Sequence, residues 1–281
     1  MKIAYGTYAM PTVPLEEAFP ALARMGYDGV EIFIGPTHLG AMPDQMDAVR
    51  RKQLHDLLQA HSLGIPALMI AGNLYTPNAA DHQANLERMR VCAQLARDLG
   101  ANEPPVLATG FGGRREDWGE IKNHMVELLN DYAQVAEEED FILAGEAHCG
   151  AAVDRSERIV WLLETVNHPR IRLHFDIVHL FLAGESVADA VKTLVPYTAH
   201  THIMDAIRHT DGSFDLFLLG QGELDTTTYL RAMAEAGWDG FITLEVSMMI
   251  WSREDYEPMP AAQFSYDAIS TAFRQAGVRR G

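Results

Sequence analysis

Cysteines, long apolar runs and export signals are scarce or absent in this sequence, and each absence narrows the classes of protein that it can encode. Only two cysteines occur, Cys92 in a predicted helix and Cys149 in a predicted loop. We therefore expect no disulfide, as is usual in a reducing compartment. No apolar run reaches the roughly 18 residues that a membrane-spanning helix needs. The first residues read as a strand rather than a signal peptide, so we expect a cytoplasmic protein.

Positively charged residues are also few compared with negatively charged ones. The 281 residues include 22 Lys and Arg against 39 Asp and Glu, which gives a formal net charge of −17. A field of that sign repels nucleic-acid phosphates and anionic membrane surfaces. We therefore expect neither nucleic acid nor membrane as a partner, and we favour a small-molecule substrate.

Linkers rich in proline, glycine or serine are missing, and no glycine-rich dinucleotide fingerprint follows the first strand. Short apolar segments alternate with helical patterns along the whole chain. The predicted strands cover residues 3–8, 29–33, 67–70, 106–109, 141–146, 172–177, 199–204 and 241–246. The predicted helices cover residues 14–25, 47–61, 79–99, 118–137, 156–166, 186–194, 226–236 and 260–276. This alternation predicts an α/β fold, a single (β/α)8 TIM barrel domain over residues 1–281.

Four consecutive predicted strands, the last four, end on side chains that can bind metal. These side chains are Glu146, Asp176, His202 and Glu245. Residues at the carboxyl ends of barrel strands meet at one mouth. Any one of the four alone could be a helix cap, a surface carboxylate or a core histidine. Together they predict a site for a divalent ion that prefers oxygen and imidazole ligands, such as Mn²⁺, Mg²⁺ or Co²⁺.

Further motifs accompany these strand ends. They are Gly26-Tyr27-Asp28-Gly29-Val30-Glu31, Asp176-Ile177-Val178-His179, His202-Ile203-Met204-Asp205 with Arg208, and Leu219-Gly220-Gln221-Gly222. With the strand-end residues they resemble the sugar isomerase/epimerase barrels related to xylose isomerase and to ketose 3-epimerases, over essentially the whole length.

That resemblance implies a fold and a set of residue roles. The positions matching Glu146, Asp176, His202 and Glu245 would hold one divalent ion, Mn²⁺ as the first expectation and Mg²⁺, Co²⁺ or Zn²⁺ as alternatives. Glu146 and Glu245 would also move protons, while His179 and Arg208 would contact substrate oxygens.

The chemistry of such a site can be stated from the residue types. Removing a proton beside a ketone needs a base, and a Lewis acid on the substrate oxygens helps to stabilise the enediolate. A carboxylate on each face permits epimerisation, whereas one face permits aldose–ketose isomerisation. Trp251 follows the last strand, and its ring could stack on the apolar face of a sugar.

His148 departs from many ketose 3-epimerases, which show no histidine two residues after the first metal glutamate. If the strand continued past Glu146, period-two alternation would place His148 on the same face, as a catalytic base, a substrate contact or a ligand. Glu-X-His also suggests a lyase, the barrel subunit of a C-glycoside deglycosidase, which would need a small partner subunit. His148 could equally be structural.

Two further readings of the whole chain remain open at this stage. One is a non-enzymatic metal- or ligand-binding barrel. The other, an abasic-site endonuclease, is disfavoured by the net charge of −17. The leading expectation is a metal-dependent isomerase or epimerase of a sugar or keto-sugar, and we expect a homo-oligomer.

Overall fold

The computed structural model of the protein describes residues 1–281. Its strands are β1 Lys2–Gly6, β2 Gly29–Ile34, β3 Leu68–Asn73, β4 Val106–Gly110, β5 Ile142–Glu146, β6 Ile171–Asp176, β7 Thr198–Ile203, β8 Asp205–Arg208, β9 Phe214–Phe217 and β10 Phe241–Leu244. Its α-helices are α1 Leu15–Met25, α2 Ala48–Ala60, α3 Ala79–Asp98, α4 Trp118–Glu138, α5 Ser156–Val166, α6 Ile177–Leu182, α7 Val187–Leu194, α8 Thr226–Glu235, α9 Met248–Trp251 and α10 Pro258–Ala276.

Eight parallel strands close into a barrel in the order β1-β10-β7-β6-β5-β4-β3-β2. The predicted α/β TIM barrel is therefore confirmed. The barrel strands are apolar because both of their faces are covered, and every residue of β2 is buried. No helix is both long enough and apolar enough to cross a membrane.

Local capping explains why the helices begin and end where the sequence predicts. Asp47 accepts a hydrogen bond from the backbone N–H of Arg50 at the start of α2, and Asp225 does the same for Thr228 in α8. The first helix, α1, ends at Gly26, whose φ of 105° lies in the left-handed region that glycine adopts without strain.

Three elements lie in segments that the sequence analysis left as loops. The connection predicted after β7 contains the antiparallel hairpin β8–β9, and the connection after the last barrel strand contains α9. The third, α6, begins directly after β6 because the Asp176 carboxylate accepts a hydrogen bond from the backbone N–H of Val178 at 2.9 Å. All three follow barrel strands, so they line the mouth where the strands' carboxyl ends meet.

Candidate metal centre

The structure brings together the four strand-end residues that the sequence singles out. Ligand atoms of Glu146, Asp176, His202 and Glu245 all lie within 4.8 Å of one another. His202 Nδ1 is 3.4 Å from Glu245 Oε2 and 3.9 Å from Glu146 Oε1. Glu146, Asp176 and His202 are buried, and the Glu245 side chain is 10% exposed at the floor of the mouth.

Strand register produces this convergence. Asp176 on β6 stands directly opposite His202 on β7, and His202 in turn pairs with Thr243 on β10. Glu146 ends β5 opposite His174. The cluster therefore spans four neighbouring strands at nearly the same height in the barrel.

Two atoms of the cluster are buried without any hydrogen-bond partner. They are Asp176 Oδ2 and His202 Nδ1. A buried polar atom left unpaired costs about 1–3 kcal/mol, and such atoms in native proteins usually have an unseen partner. A divalent cation would satisfy both atoms at once. Three carboxylates and one imidazole fit that cation as a donor set.

Burial and crowding of acidic groups shape the electrostatics of the cluster. Burial raises the pKa of Glu146 well above its ordinary value, and the negative charge of Glu245 raises it further. Burial and Glu245 also raise the pKa of Asp176. Burial lowers the pKa of His202, but Glu31 and Glu245 outweigh it and raise that pKa. A bound cation would relieve the repulsion among these carboxylates.

A buried glutamate on the opposite side of the barrel orients His202. Glu31 Oε2 on β2 accepts hydrogen bonds from His202 Nε2 at 2.8 Å and from His200 Nε2 at 2.5 Å. This network assigns a proton to Nε2 of His202 and leaves Nδ1, which faces the carboxylates, as the nitrogen that a metal ion would bind once Nδ1 is deprotonated. Burial opposes the charge on Glu31, yet His202 and His200 outweigh it and hold the pKa of Glu31 at about 2.

Glycine at position 6 makes room for this glutamate. A Cβ at Gly6 would lie 2.9 Å from Glu31 Oε1. Glu31 closes the motif that begins at Gly26, and from the sequence a glutamate there is more often a salt-bridge partner inside the barrel than a catalyst. The structure confirms this interpretation, with His200 and His202 as the partners.

His148 and His179 lie side by side at the rim of the site. The strand β5 ends at Glu146, so the alternation that would carry His148 to the same face does not extend that far. His148 is exposed, and its ring lies 3.8 Å from the His179 ring at 43°. His179 Nε2 is 3.5 Å from Asp176 Oδ2. Both imidazoles therefore border the cluster without belonging to its set of four ligands.

Burial lowers the pKa of His179 well below its ordinary value, and His148 and His202 lower it further. His179 is therefore a neutral imidazole that can donate or accept a hydrogen bond.

A cleft of about 610 Å³ opens at the mouth, and Glu146 and His148 line one side of it. Tyr8, which the sequence analysis did not select, also lines this cleft. Burial, Glu245 and Glu146 raise the pKa of Tyr8 to about 12, so its hydroxyl is protonated and can donate a hydrogen bond to a ligand. The sequence does offer one indication of this role, because Tyr8 lies close to the end of the first strand, where barrel strands open into the mouth.

Trp251 lies behind Tyr8 and outside the lining of this cleft. Its ring stands edge-on to Tyr8 at 5.4 Å and to His38 at 5.7 Å. Trp251 therefore fixes Tyr8, and a stacking contact between Trp251 and a sugar stays a prediction.

Arg208 ends β8 and lies at a neighbouring cleft of about 580 Å³. Its guanidinium group packs over the Phe181 ring at 4.6 Å. The structure thus places Arg208 in a cleft next to the one that Glu146 lines, and outside the cluster of four residues.

The motif Leu219-Gly220-Gln221-Gly222 has a structural explanation. The buried Asp205 carboxylate accepts backbone hydrogen bonds from Gly220 and Leu224, each at 2.9 Å. A Cβ at Gly222 would lie 2.3 Å from Asp205 Oδ1, so only glycine allows the chain to pass there. This loop supports the β8–β9 hairpin rather than the ligands directly.

The fold and the cluster define a (β/α)8 barrel with a divalent-metal type of donor set at its catalytic mouth. The family model described as Xylose isomerase-like TIM barrel matches residues 19–264. The chain belongs to this family.

Two relatives are similar to this chain in sequence, and two solved structures share its fold. The chain is 25% identical to the fructoselysine 3-epimerase of Escherichia coli O157:H7 over 258 residues, which cover 89% of this chain and 91% of the relative. It is 23% identical to an inosose dehydratase of Clostridium botulinum over 160 residues, 52% of each protein. The structure of IolI protein with a binding zinc atom superposes with a TM-score of 0.79 at 19% identity, covering 98% of both chains. L-ribulose 3-epimerase superposes with a TM-score of 0.76 at 18% identity, covering 98% of this chain and 97% of the other.

Proposed function

We propose that this protein is a divalent-metal-dependent sugar isomerase or epimerase. It moves a proton at the carbon beside the carbonyl of a ketose or keto-cyclitol, through an enediolate. The observation that carries the proposal is the convergence of Glu146, Asp176, His202 and Glu245, with Asp176 Oδ2 and His202 Nδ1 buried and unpaired. The similarity to a fructoselysine 3-epimerase over 89% of the chain supports the reaction class.

Glu146 and Glu245 are the proposed proton carriers. Both lie close to His202 Nδ1, at 3.9 and 3.4 Å respectively, so a ketose held between them has a carboxylate within reach of its reacting carbon. Burial and Glu245 raise the pKa of Glu146 when no cation is bound, and a bound cation would favour the ionised carboxylate that can take up a proton. The Tyr8 hydroxyl and the His179 imidazole are positioned to bind substrate oxygens.

The four ligands would hold one metal ion, which supplies Lewis-acid stabilisation for the charge that develops on the substrate oxygens. We propose Mn²⁺ first, and Mg²⁺, Co²⁺ or Zn²⁺ as alternatives, since the donor set accepts each. The zinc atom in the IolI structure supports the presence of a metal rather than its identity. A homo-oligomer and a cytoplasmic location complete the proposal.

Elimination is the competing reaction. It begins with the same proton abstraction and ends with loss of a leaving group, as the similarity to an inosose dehydratase would suggest. The exposed His148, in contact with His179, could protonate such a leaving group. A deglycosidase subunit, which needs a small partner, is one form of this alternative.

Solvent exchange tests the proposal directly. In D₂O with Mn²⁺, the wild-type protein should place deuterium on the carbon next to the carbonyl of at least one ketose or inosose in a panel. Glu146→Gln and Glu245→Gln should each reduce that exchange by about 10²–10⁴-fold, the usual contribution of a general base. The exposed Glu127→Gln is the matched control and should exchange at the wild-type rate.

Two results would contradict parts of the proposal. Isomerised product without deuterium would indicate a hydride shift and would reduce both glutamates to ligands. Release of water or an aglycone, in place of an epimer, would favour the elimination reaction.

A further inference from the structure

Three arginines from separate segments of the chain line the cleft of about 580 Å³ beside the candidate metal centre. Arg115 precedes α4, Arg155 precedes α5, and Arg208 ends β8. We call this the arginine cleft. Glu223 is the one acidic residue that lines the arginine cleft. In a chain with a net charge of −17, three guanidinium groups facing one concave surface form a local region of opposite sign.

A buried carboxylate holds two of these arginines in place. The Asp154 side chain is fully buried and forms ion pairs with Arg115, with Arg155 at 3.0 Å and with Arg158 at 3.1 Å. One negative charge is thus shared among three cations and leaves them only partly compensated. Arg158 turns away from the arginine cleft, because its guanidinium group lies over Trp118 and donates to the Ala152 carbonyl.

The remaining donors face solvent in the arginine cleft. The side chains of Arg115 and Arg155 are 45% and 42% exposed, and no carboxylate pairs with Arg208, which rests on Phe181. Guanidinium groups held at fixed angles match the paired oxygens of a carboxylate or a phosphate. The arginine cleft therefore presents preoriented donors to an anion.

The arginine cleft adjoins the cleft that Glu146 lines. Cys149 lines both clefts, following Glu146 and His148 along the same loop. Arg115 Nη2 approaches Cys149 Sγ at 3.9 Å. A ligand that extends from Glu146 past His148 and over Cys149 would therefore approach Arg115.

We propose that the arginine cleft binds an anionic group, a carboxylate or a phosphate, at the far end of a substrate whose keto carbon lies at the metal centre. This inference rests on the proposed function, since it assigns the class of sugar on which that site acts. Arg115 and Arg155 are the specificity-determining residues, and Arg208 adds a third cation.

Three ketoses that differ at one carbon provide the test. D-fructose, D-fructose 6-phosphate and D-fructuronate carry a hydroxyl, a phosphate and a carboxylate at carbon six. The measurement is kcat/KM for deuterium exchange beside the ketone, for the Mn²⁺-loaded full-length protein. We expect kcat/KM for at least one of the two anionic ketoses to be higher than kcat/KM for D-fructose. The phosphate and the carboxylate are distinguished by which of the two is preferred.

Three variants separate anion binding from general damage. Arg115→Gln and Arg155→Gln should each lower the value for the preferred anionic ketose by about 10–100-fold, the range for hydrogen bonds to charged groups. Both variants should keep kcat/KM for D-fructose within about threefold of the wild-type value. Arg158→Gln removes a partner of the same Asp154 outside the arginine cleft, and should leave the ratio of anionic to neutral ketose unchanged.

The outcomes distinguish this inference from the proposed function. Exchange of all three ketoses at similar rates, or an equal loss on all three in Arg115→Gln, would overturn the anion subsite and leave the epimerase intact. If no ketose exchanges deuterium, calorimetric titration with inorganic phosphate measures anion binding at the arginine cleft independently of catalysis. Phosphate binding that Arg115→Gln abolishes and Arg158→Gln preserves would support the subsite, and no binding by wild type would overturn it.

Discussion

Replacing Glu31 by glutamine should weaken metal binding while leaving the barrel folded. Glutamine keeps the size of the side chain but removes the charge that accepts hydrogen bonds from His202 at 2.8 Å and His200 at 2.5 Å. Both imidazoles donate to the same oxygen. A neutral amide accepts such bonds about half as strongly, so the Nδ1 face of His202 becomes less basic and less firmly oriented.

The expected magnitude follows from that position. Losing the outer hydrogen-bond partner of a metal ligand commonly reduces metal affinity by about 10–100-fold, which is about 1.4–2.8 kcal/mol of binding free energy. We expect the upper part of this range, because Glu31 is fully buried and no water can replace its charge.

Competition with a coloured chelator measures this affinity for Mn²⁺, and thermal unfolding measures stability alongside it. The matched control is Asp28→Asn, which lies just before β2 at the opposite end of the barrel. Asp28 pairs with Arg280 at 3.0 Å and accepts from the Ile3 N–H at 2.8 Å, so its loss should lower stability with little effect on metal affinity. A Glu31→Gln protein that binds Mn²⁺ within about twofold of wild type would refute the reasoning.

Two further predictions concern the metal and the rim histidine. Dialysis against a chelator should abolish deuterium exchange, and Mn²⁺ or Co²⁺ should restore it. A metal at about 100 times its Kd should also raise the midpoint of thermal unfolding by about 5–10 °C. Full activity in a rigorously metal-free preparation would contradict the proposed metal site. His148→Ala should mainly raise KM on a ketose, because Glu146 and Glu245 supply both proton carriers; a loss of about 10²–10⁴ in kcat, measured by steady-state kinetics, would point instead to elimination with His148 as an acid or base.

The barrel could be predicted from the sequence because its signals are local. Apolar strands at regular spacing, with Gly26 and Asp47 marking helix ends, specify each unit independently of the others. The convergence of Glu146 and Asp176 follows from the barrel itself, since strand ends share one mouth. The catalytic roles of these residues stay predictions.

The remaining features depend on contacts between distant segments. The start of α6 depends on a side chain, Asp176, that the sequence analysis had assigned only to metal. The end of β5 at Glu146, which removes His148 from the strand face, depends on how the following loop turns. The arginine cleft brings together three distant segments and the buried Asp154. From the sequence, Gly112-Gly113-Arg114-Arg115 is only a weak candidate for a phosphate loop, more typical of a turn with two solvated arginines.

The contacts of Glu31 show that the two halves of the sequence contribute different things to the candidate metal centre. All four proposed metal ligands lie on β5, β6 and β7 or directly after β10, in the second half of the sequence. Glu31 comes from β2 and is separated from His202 by 171 residues. The first half therefore supplies no ligand but sets the orientation of one. We expect a fragment that holds only the second half to carry every proposed donor atom and still bind metal poorly. If the proposed site binds metal, its affinity would accordingly measure whether the two halves of the chain have joined.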